Sequence, residues 1–280
     1  MPLSWQLDPV LIGGLLTLGV TYTLAVGPLR QRLAPGTAYP TGKAALFYLA
    51  LLIIYLAEGS PLHDLAELYL FSAHMIQHNI LSYVVPPLFI AGVPRWLWQP
   101  LLLNRWVKPL ARFLTRPLVA LLVFSFAFSV WHFPAIYEGA LRNSLVHHLE
   151  HVVFIGTALL LWWPIMSPLA ELPRLGPVWQ VVYLFLLPIA QFLAPAFLTF
   201  SQVPFYPTYI NAPRLMGLTP LMDQQLGGAI MKIAGFIAFG IPLTLAFFRW
   251  YAHESGPATR IPSQPQTPPL TETKEKPSRS

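Results

Sequence analysis

The 280-residue chain contains no cysteine. Disulfides and thiolate metal ligands are thereby excluded, leaving His, Met, Asp, Glu or backbone oxygen as the only groups that can hold a metal. Charge is nearly as scarce. Asp, Glu, Lys and Arg make up 10% of the residues against 55% hydrophobic ones, a balance that belongs to integral membrane proteins rather than soluble domains. The surplus of 17 Lys and Arg over 11 Asp and Glu sits in short loops and a mixed-charge tail, so no nucleic-acid partner is expected. A basic segment before the first apolar run is also missing. MPLSWQLDPV carries Asp8 instead, and that run reads as a retained span rather than a cleaved signal peptide. No internal repeat is found, which removes the inverted-repeat signature of transporters. Proline, at 30 residues, and aromatics, at 14%, are plentiful, as membrane helices and their interfaces allow.

Apolar runs long enough to cross about 30 Å of hydrocarbon fall at 9–28, 43–58, 68–93, 117–137, 147–165, 178–203 and 226–251. The expected fold is all-α, a polytopic bundle of about seven transmembrane helices over 1–251. Lys and Arg collect on the cytoplasmic side of membrane proteins. Arg30, Arg32 and Lys43 flank the first connection and Arg95, Arg105, Lys108, Arg112 and Arg116 the third, whereas the second holds Glu58, Asp64 and Glu67 and no Lys or Arg. The N-terminus is therefore expected outside and the C-terminus in the cytoplasm. From 252 to 280 the composition turns to Pro, Ser, Thr and charge, which predicts a disordered cytoplasmic tail.

Into this apolar frame the chain carries histidines. With the orientation above, His74, about six residues or ~9 Å into the third span, and His78 one turn deeper fall in the outer half of the membrane. His132 ends the fourth span, and His147, His148 and His151 open the fifth. Residues i and i+4 share a helix face, so His74 with His78 and His147 with His151 can each aim two imidazoles at one point. His148 is rotated by about 100° from His147, while His63 lies in an outer loop and His253 in the tail. Ionisable groups in a span are costly and usually face a functional interior. An all-His or His/carboxylate set suits Cu(II) or Zn(II), and Met75, Met222 and Met231 offer softer sulfur for Cu(I).

HMIQH (74–78), PPLFIAGVP (86–94), WHFPAIYEGAL (131–141), HHLEHVVFIGTALLLWWP (147–164) and DQQLGGAIM (223–231) resemble, in order, the motif blocks of the CtaG family. Those are bacterial membrane proteins associated with assembly of caa-type cytochrome c oxidase, and the resemblance covers about 40–250. It implies a multi-pass protein of the bacterial cytoplasmic (inner) membrane that handles copper and is not an enzyme. Its partners would be oxidase subunits or other copper-handling assembly proteins, besides the lipid membrane. Carried over position by position, the implied metal ligands are His74, His78, His132, His147, His151 and Asp223, facing the periplasm, where oxidase copper centres are filled. Copper is the expected metal and zinc the alternative. Where the family pattern usually has Trp after the last block, this chain has Lys232.

Other readings compete. His147-x-x-Glu150-His151 matches the H-x-x-E-H order of inverted zinc proteases, so an intramembrane zinc metalloprotease is the alternative function. Lys232 in the last span invites a retinal reading, but the third span has no carboxylate counter-ion. Haem would take one axial His from each of two helices; the i,i+4 pairs offer a redundancy that haem does not use, which places it below copper. A purely structural role for the histidines is the remaining alternative. Two local expectations complete the reading: Pro86 and Pro87 should kink the third helix, and Trp162, Trp163 and Pro164 should form an interfacial anchor followed by a helix stop.

Overall fold

The computed structural model describes residues 3–254, and all its regular elements are helical. In chain order they are α1 (Pro9–Val26), α2 (Arg30–Leu33), α3 (Thr41–Glu58), α4 (Pro61–Leu68), α5 (Phe71–Asn79), a π-helical turn (Ile80–Val84), α6 (Val85–Gly92), α7 (Arg95–Leu102) and α8 (Lys108–Leu114). They continue with α9 (Pro117–Trp131), α10 (Pro134–Arg142), α11 (Ser144–Met166), α12 (Pro177–Ala190), α13 (Leu193–Phe200), α14 (Pro207–Asn211) and α15 (Pro220–Glu254). Five stretches are long and apolar enough to cross a membrane, and seven if each of two bent pairs, 71–102 and 108–131, counts as one span. The all-α, multi-pass architecture matches the sequence reading. The tail expected from 252 lies, beyond Glu254, outside the described residues.

Exposure is inverted relative to a soluble protein. Leu16, Val20, Phe126 and Phe185 are exposed, while His74, Gln77, His78 and Glu150 are buried. Apolar side chains meet lipid, and polar ones are kept for the interior. A core of Phe71, Phe124, Phe154, Leu161, Leu184 and Phe239, among others, holds the α5–α6, α9, α11, α12 and α15 segments together.

Several boundaries move for identifiable reasons. The fourth span stops at Trp131 because Pro134 starts a new helix and holds Phe133 extended (ψ 126°). The sixth is interrupted between Ala190 and Leu193. The carbonyl of Pro188, near the end of α12, accepts from Lys232 Nζ at 2.6 Å, a cation serving a helix C-terminus. Lys232 also lies over the rings of Phe192 and Phe236, at 4.5 and 4.7 Å.

The expected kink at Pro86 and Pro87 does not interrupt the third span. The helix runs on from Phe71 to Gly92, widened to a π turn just before the prolines. Proline at 86 cannot donate to the carbonyl four residues back, which is that of Ser82. The Trp162 indole N–H supplies the bond instead, at 3.1 Å. This corrects the interfacial reading of Trp162 and Trp163. Both are buried, Trp163 donates to Leu172 O at 3.2 Å, and α11 passes through Pro164 to end at Met166.

Two adjacent glycines fix how α15 packs. A methyl group on Gly227 would strike the Phe71 ring, and one on Gly228 would lie 2.8 Å from Thr199 N and 2.9 Å from Pro195 O. Only hydrogen at these positions lets α15 approach α5 and α13 so closely.

Candidate metal centre

The site is assembled from helix ends. The α5 N-terminus, which leads to His74, is capped from another span: the Asp223 carboxylate of α15 accepts from Phe71 N at 2.7 Å, Ser72 N at 3.1 Å and Ser72 Oγ at 2.5 Å. Three donated bonds fix the carboxylate and the helix it caps. Asn143 does the same for α11, accepting from Leu145 N and Val146 N at 3.0 and 3.2 Å. One and two turns beyond these caps stand the four histidines.

His74 Nε2 and His78 Nε2 are 2.7 Å apart, and the His147 and His151 rings are 4.2 Å apart between centroids. The two pairs face each other across the α5–α11 interface, with ring separations of 5.8 Å for His74–His147 and 5.3 Å for His78–His151. Three carboxylates join them. Glu58, the last residue of α3, brings Oε2 to 2.6 Å from His151 Nδ1. Glu67 of α4 places Oε1 3.2 Å from His147 Nε2 and 3.4 Å from His74 Nδ1. Glu150 lies 3.7 Å from both His78 Nε2 and His147 Nδ1.

Three overlapping donor groups result, each with its ligand atoms within 4.8 Å of one another: His74, His78, Glu150 and His151; Glu58, His147 and His151; His63, Glu67 and His147. The second shares His151 with the first and His147 with the third. Each neighbouring pair of groups is thus linked through one shared histidine.

The chemistry of the set fits a divalent first-row cation. Among the described residues no Lys or Arg pairs with Glu58, Glu67 or Glu150; their only close ionisable partners are histidines. Buried carboxylates need compensating positive charge. Nine ligand-type atoms, among them both oxygens of Glu150, both nitrogens of His147, His74 Nδ1 and His151 Nε2, are buried without a hydrogen-bond partner. A His/carboxylate-bound cation answers both the charge and the missing partners. A cavity of about 330 Å³ lined by Glu58, His63, Glu67, His147, His148 and Asp8 reaches one edge of the cluster.

The six residues carried over from the family motifs thus divide. His74, His78, His147 and His151 come together, while Asp223 is occupied as the α5 cap and His132 stands aside. His132 Nδ1 lies 2.5 Å from Phe128 O and its Nε2 3.3 Å from Met75 Sδ. His148 turns away to Asp8, Nε2 to Oδ1 3.3 Å. The rest of the DQQLGGAIM block is structural. Gln224 accepts from Phe205 N at 2.7 Å and donates to Val203 O at 3.2 Å, and Gln225 donates to Ser201 O at 2.9 Å, pinning the 201–205 loop.

Sequence reasoning missed Glu58, Glu67 and His63 as donors and treated the two acids as loop charges. A usable signal was there. Glu58 and Glu67 each close a Leu-Ala-Glu triplet, at 56–58 and 65–67, at the end of an apolar segment, where an acid is placed to turn inward.

A family model described as cytochrome c oxidase caa3 assembly factor (Caa3_CtaG) matches residues 20–253, a segment containing every residue of the cluster. Uncharacterised proteins of Mycobacterium bovis and Mycobacterium tuberculosis are each 24% identical to the chain over 248 residues, covering 81% of it and 36% of their own length. An uncharacterised protein of Mycobacterium leprae is 22% identical over 283 residues, covering 91% of the chain and 41% of its own length. The chain thus spans about two-fifths of these curated relatives. No solved structure matches.

Proposed function

The chain belongs to the cytochrome c oxidase caa3 assembly factor family, and from that premise we propose that it binds copper in the His/carboxylate cluster and delivers it during oxidase assembly. The observation that carries this reading is the convergence of four buried histidines and three carboxylates, with three overlapping donor groups, at one end of the bundle. Copper is the cargo, so the protein is an assembly factor and not an enzyme. It works in the bacterial inner membrane with oxidase subunits or other copper-handling proteins.

Charge supports a site that opens outward. The cluster sits at the end of the bundle where α1, α5 and α11 begin, beside the connection of Glu58, Asp64 and Glu67. Arg30, Arg32 and Lys43, and Arg95 through Arg116, lie in the connections at the opposite end, which the positive-inside rule assigns to the cytoplasm. The cavity at His63 and Glu67 is then the entrance from the periplasm. A domain of seven spans over 1–251 followed by a cytoplasmic tail agrees with that orientation.

The zinc-protease alternative draws less support. It needs Glu150 free to activate a water, yet Glu150 is 1% exposed and sits among the donors, 3.7 Å from His78 Nε2 and from His147 Nδ1.

The test replaces the native gene with one encoding His74→Asn and His151→Asn. With the variant at normal level in the membrane, the reading expects oxidase that retains haem but is depleted in copper, with activity recovering when cells are supplied with excess copper. Fully metallated oxidase in that strain contradicts it.

A further inference from the structure

Where α5 packs against Gly227 of α15, beside the cluster, His132 and Met75 make a pair the cluster does not use. Phe128 O is a carbonyl and can only accept, so the His132 Nδ1 that lies 2.5 Å from it carries the hydrogen. In the neutral ring Nε2 is then a bare lone pair. That lone pair faces the Met75 thioether at 3.3 Å, and a thioether has no hydrogen to give. Two electron-pair donors therefore confront each other in the interior, with Met75 0% and His132 5% exposed.

The pair is held in place. Tyr206 OH donates to His132 O at 2.8 Å, and the Phe128 and Phe154 rings flank the imidazole with centroids at 4.6 and 6.2 Å. His78, a member of the cluster, lies between it and His151, its ring 5.3 Å from His151 and 6.0 Å from His132. On its other side His132 lines an apolar cleft of about 560 Å³ with Phe133, Leu193, Phe197 and Phe205.

We propose that His132 and Met75 form a second metal site, specific for a soft monovalent cation of the Cu(I) class. One imidazole nitrogen and one thioether sulfur in apolar surroundings are donors that select Cu(I), whereas the imidazoles and carboxylates of the cluster suit Cu(II) or Zn(II). With bonds as long as those of zinc, about 2.0 and 2.3 Å, a linear N–metal–S unit spans about 4.3 Å, so binding requires the nitrogen and sulfur, 3.3 Å apart here, to part by about 1 Å. Methionine, with three rotatable bonds, provides that movement. The inference rests on these donor atoms alone and does not require the cluster to carry copper.

The test uses the full chain in detergent, first loaded with Zn(II) and then exposed to Ag(I), a stand-in for Cu(I) that needs no reductant. Bound silver is measured by elemental mass spectrometry after desalting, and its neighbours by X-ray absorption. The expected result is one Ag(I) per chain with a sulfur neighbour, retained with Zn(II) present, and at least tenfold weaker binding in Met75→Leu with Zn(II) content unchanged. His132→Asn, which leaves the sulfur in place, must weaken Ag(I) binding as well; it decides the matter if Met75→Leu does not fold. Ag(I) bound equally by these variants, displaced by Zn(II), or not bound at all overturns the proposal and leaves Met75 and His132 as packing. Failure of Zn(II) or copper to bind the cluster while the Met75-dependent Ag(I) remains would count against the function proposed above and not against this site.

Discussion

His151 Nδ1 and Glu58 Oε2 stand 2.6 Å apart, joining the second turn of α11 to the last residue of α3. The contact fixes the ring, so that His151 Nε2, which has no hydrogen-bond partner, is the nitrogen left for a metal. Carboxylates that orient ligating histidines in this way typically contribute 10–100-fold to metal affinity. Glu58→Gln should lower copper affinity by about that factor while keeping the stoichiometry at saturating metal, as measured by competition against a chelator of known affinity. An unchanged affinity would remove Glu58 from the site.

Asp64 ties the N-terminal segment to the mouth of the cluster. Its carboxylate accepts from Ser4 N at 2.8 Å, from Ser4 Oγ at 3.1 Å and from the Gln6 side-chain amide. Burial pushes this carboxyl up, but the bonds from Ser4 and Gln6, with His63 nearby, outweigh it and hold the group below the ordinary carboxylate value. A depressed folded-state value gives a contribution that is fully present above the unfolded value of about 3.9 and lost as pH falls through the depressed one. Hydrogen exchange at Ser4 and Gln6 should thus be flat from about pH 8 to 5 after correction for intrinsic rates and rise below about 4. Asp64→Asn should flatten the acid limb, and an acid limb that survives the substitution would assign it to another group.

Gly228 is the tightest backbone approach in the bundle's α13–α15 contact. Gly228→Ala forces a methyl group to within 3 Å of Thr199 N and Pro195 O, an overpacking defect of about 1–3 kcal/mol. Thermal unfolding in detergent should register it as a lower midpoint. Gly240→Ala, where an added methyl meets nothing, serves as the control and should leave the midpoint unchanged.

Trp162 supplies the hydrogen bond that Pro86 cannot. Trp162→Phe keeps a ring in the core but strands the Ser82 carbonyl, at a cost of about 1–3 kcal/mol. The expected effect is lower stability in a denaturation series with metal binding retained at saturation. Equal stability would mean that Ser82 O finds another partner.

The helices were readable because lipid imposes a simple rule, about 20 apolar residues per crossing; the expected runs at 9–28, 43–58 and 147–165 overlap Pro9–Val26, Thr41–Glu58 and Ser144–Met166. The two His pairs were readable for the same kind of reason, since i,i+4 spacing is local geometry. What a sequence hides is long-range pairing. Asp223 looks like a ligand until α15 is seen to cap α5 across 151 residues of chain. Glu58 and Glu67 look like loop charges until the short α4 folds their side chains inward. Trp162 and Trp163 resemble an interfacial anchor, yet they are drawn into the core by carbonyls that need donors, one of them freed by a proline in another span. The His132–Met75 contact likewise joins two spans through side chains that carry no mutual signal in sequence.

The central claim, that the α5 and α11 histidine pairs form one metal centre, is tested most directly by metal content. The protein and its His74→Asn/His151→Asn variant are purified in detergent from copper-supplemented cells and analysed by elemental mass spectrometry. The account predicts that the variant loses the copper held by the cluster, about one equivalent per chain relative to the unmodified protein, and keeps only what the His132–Met75 pair binds. Zinc in place of copper would contradict the copper assignment and favour the H-x-x-E-H reading. Equal metal in both proteins, or none in either, would contradict the centre itself.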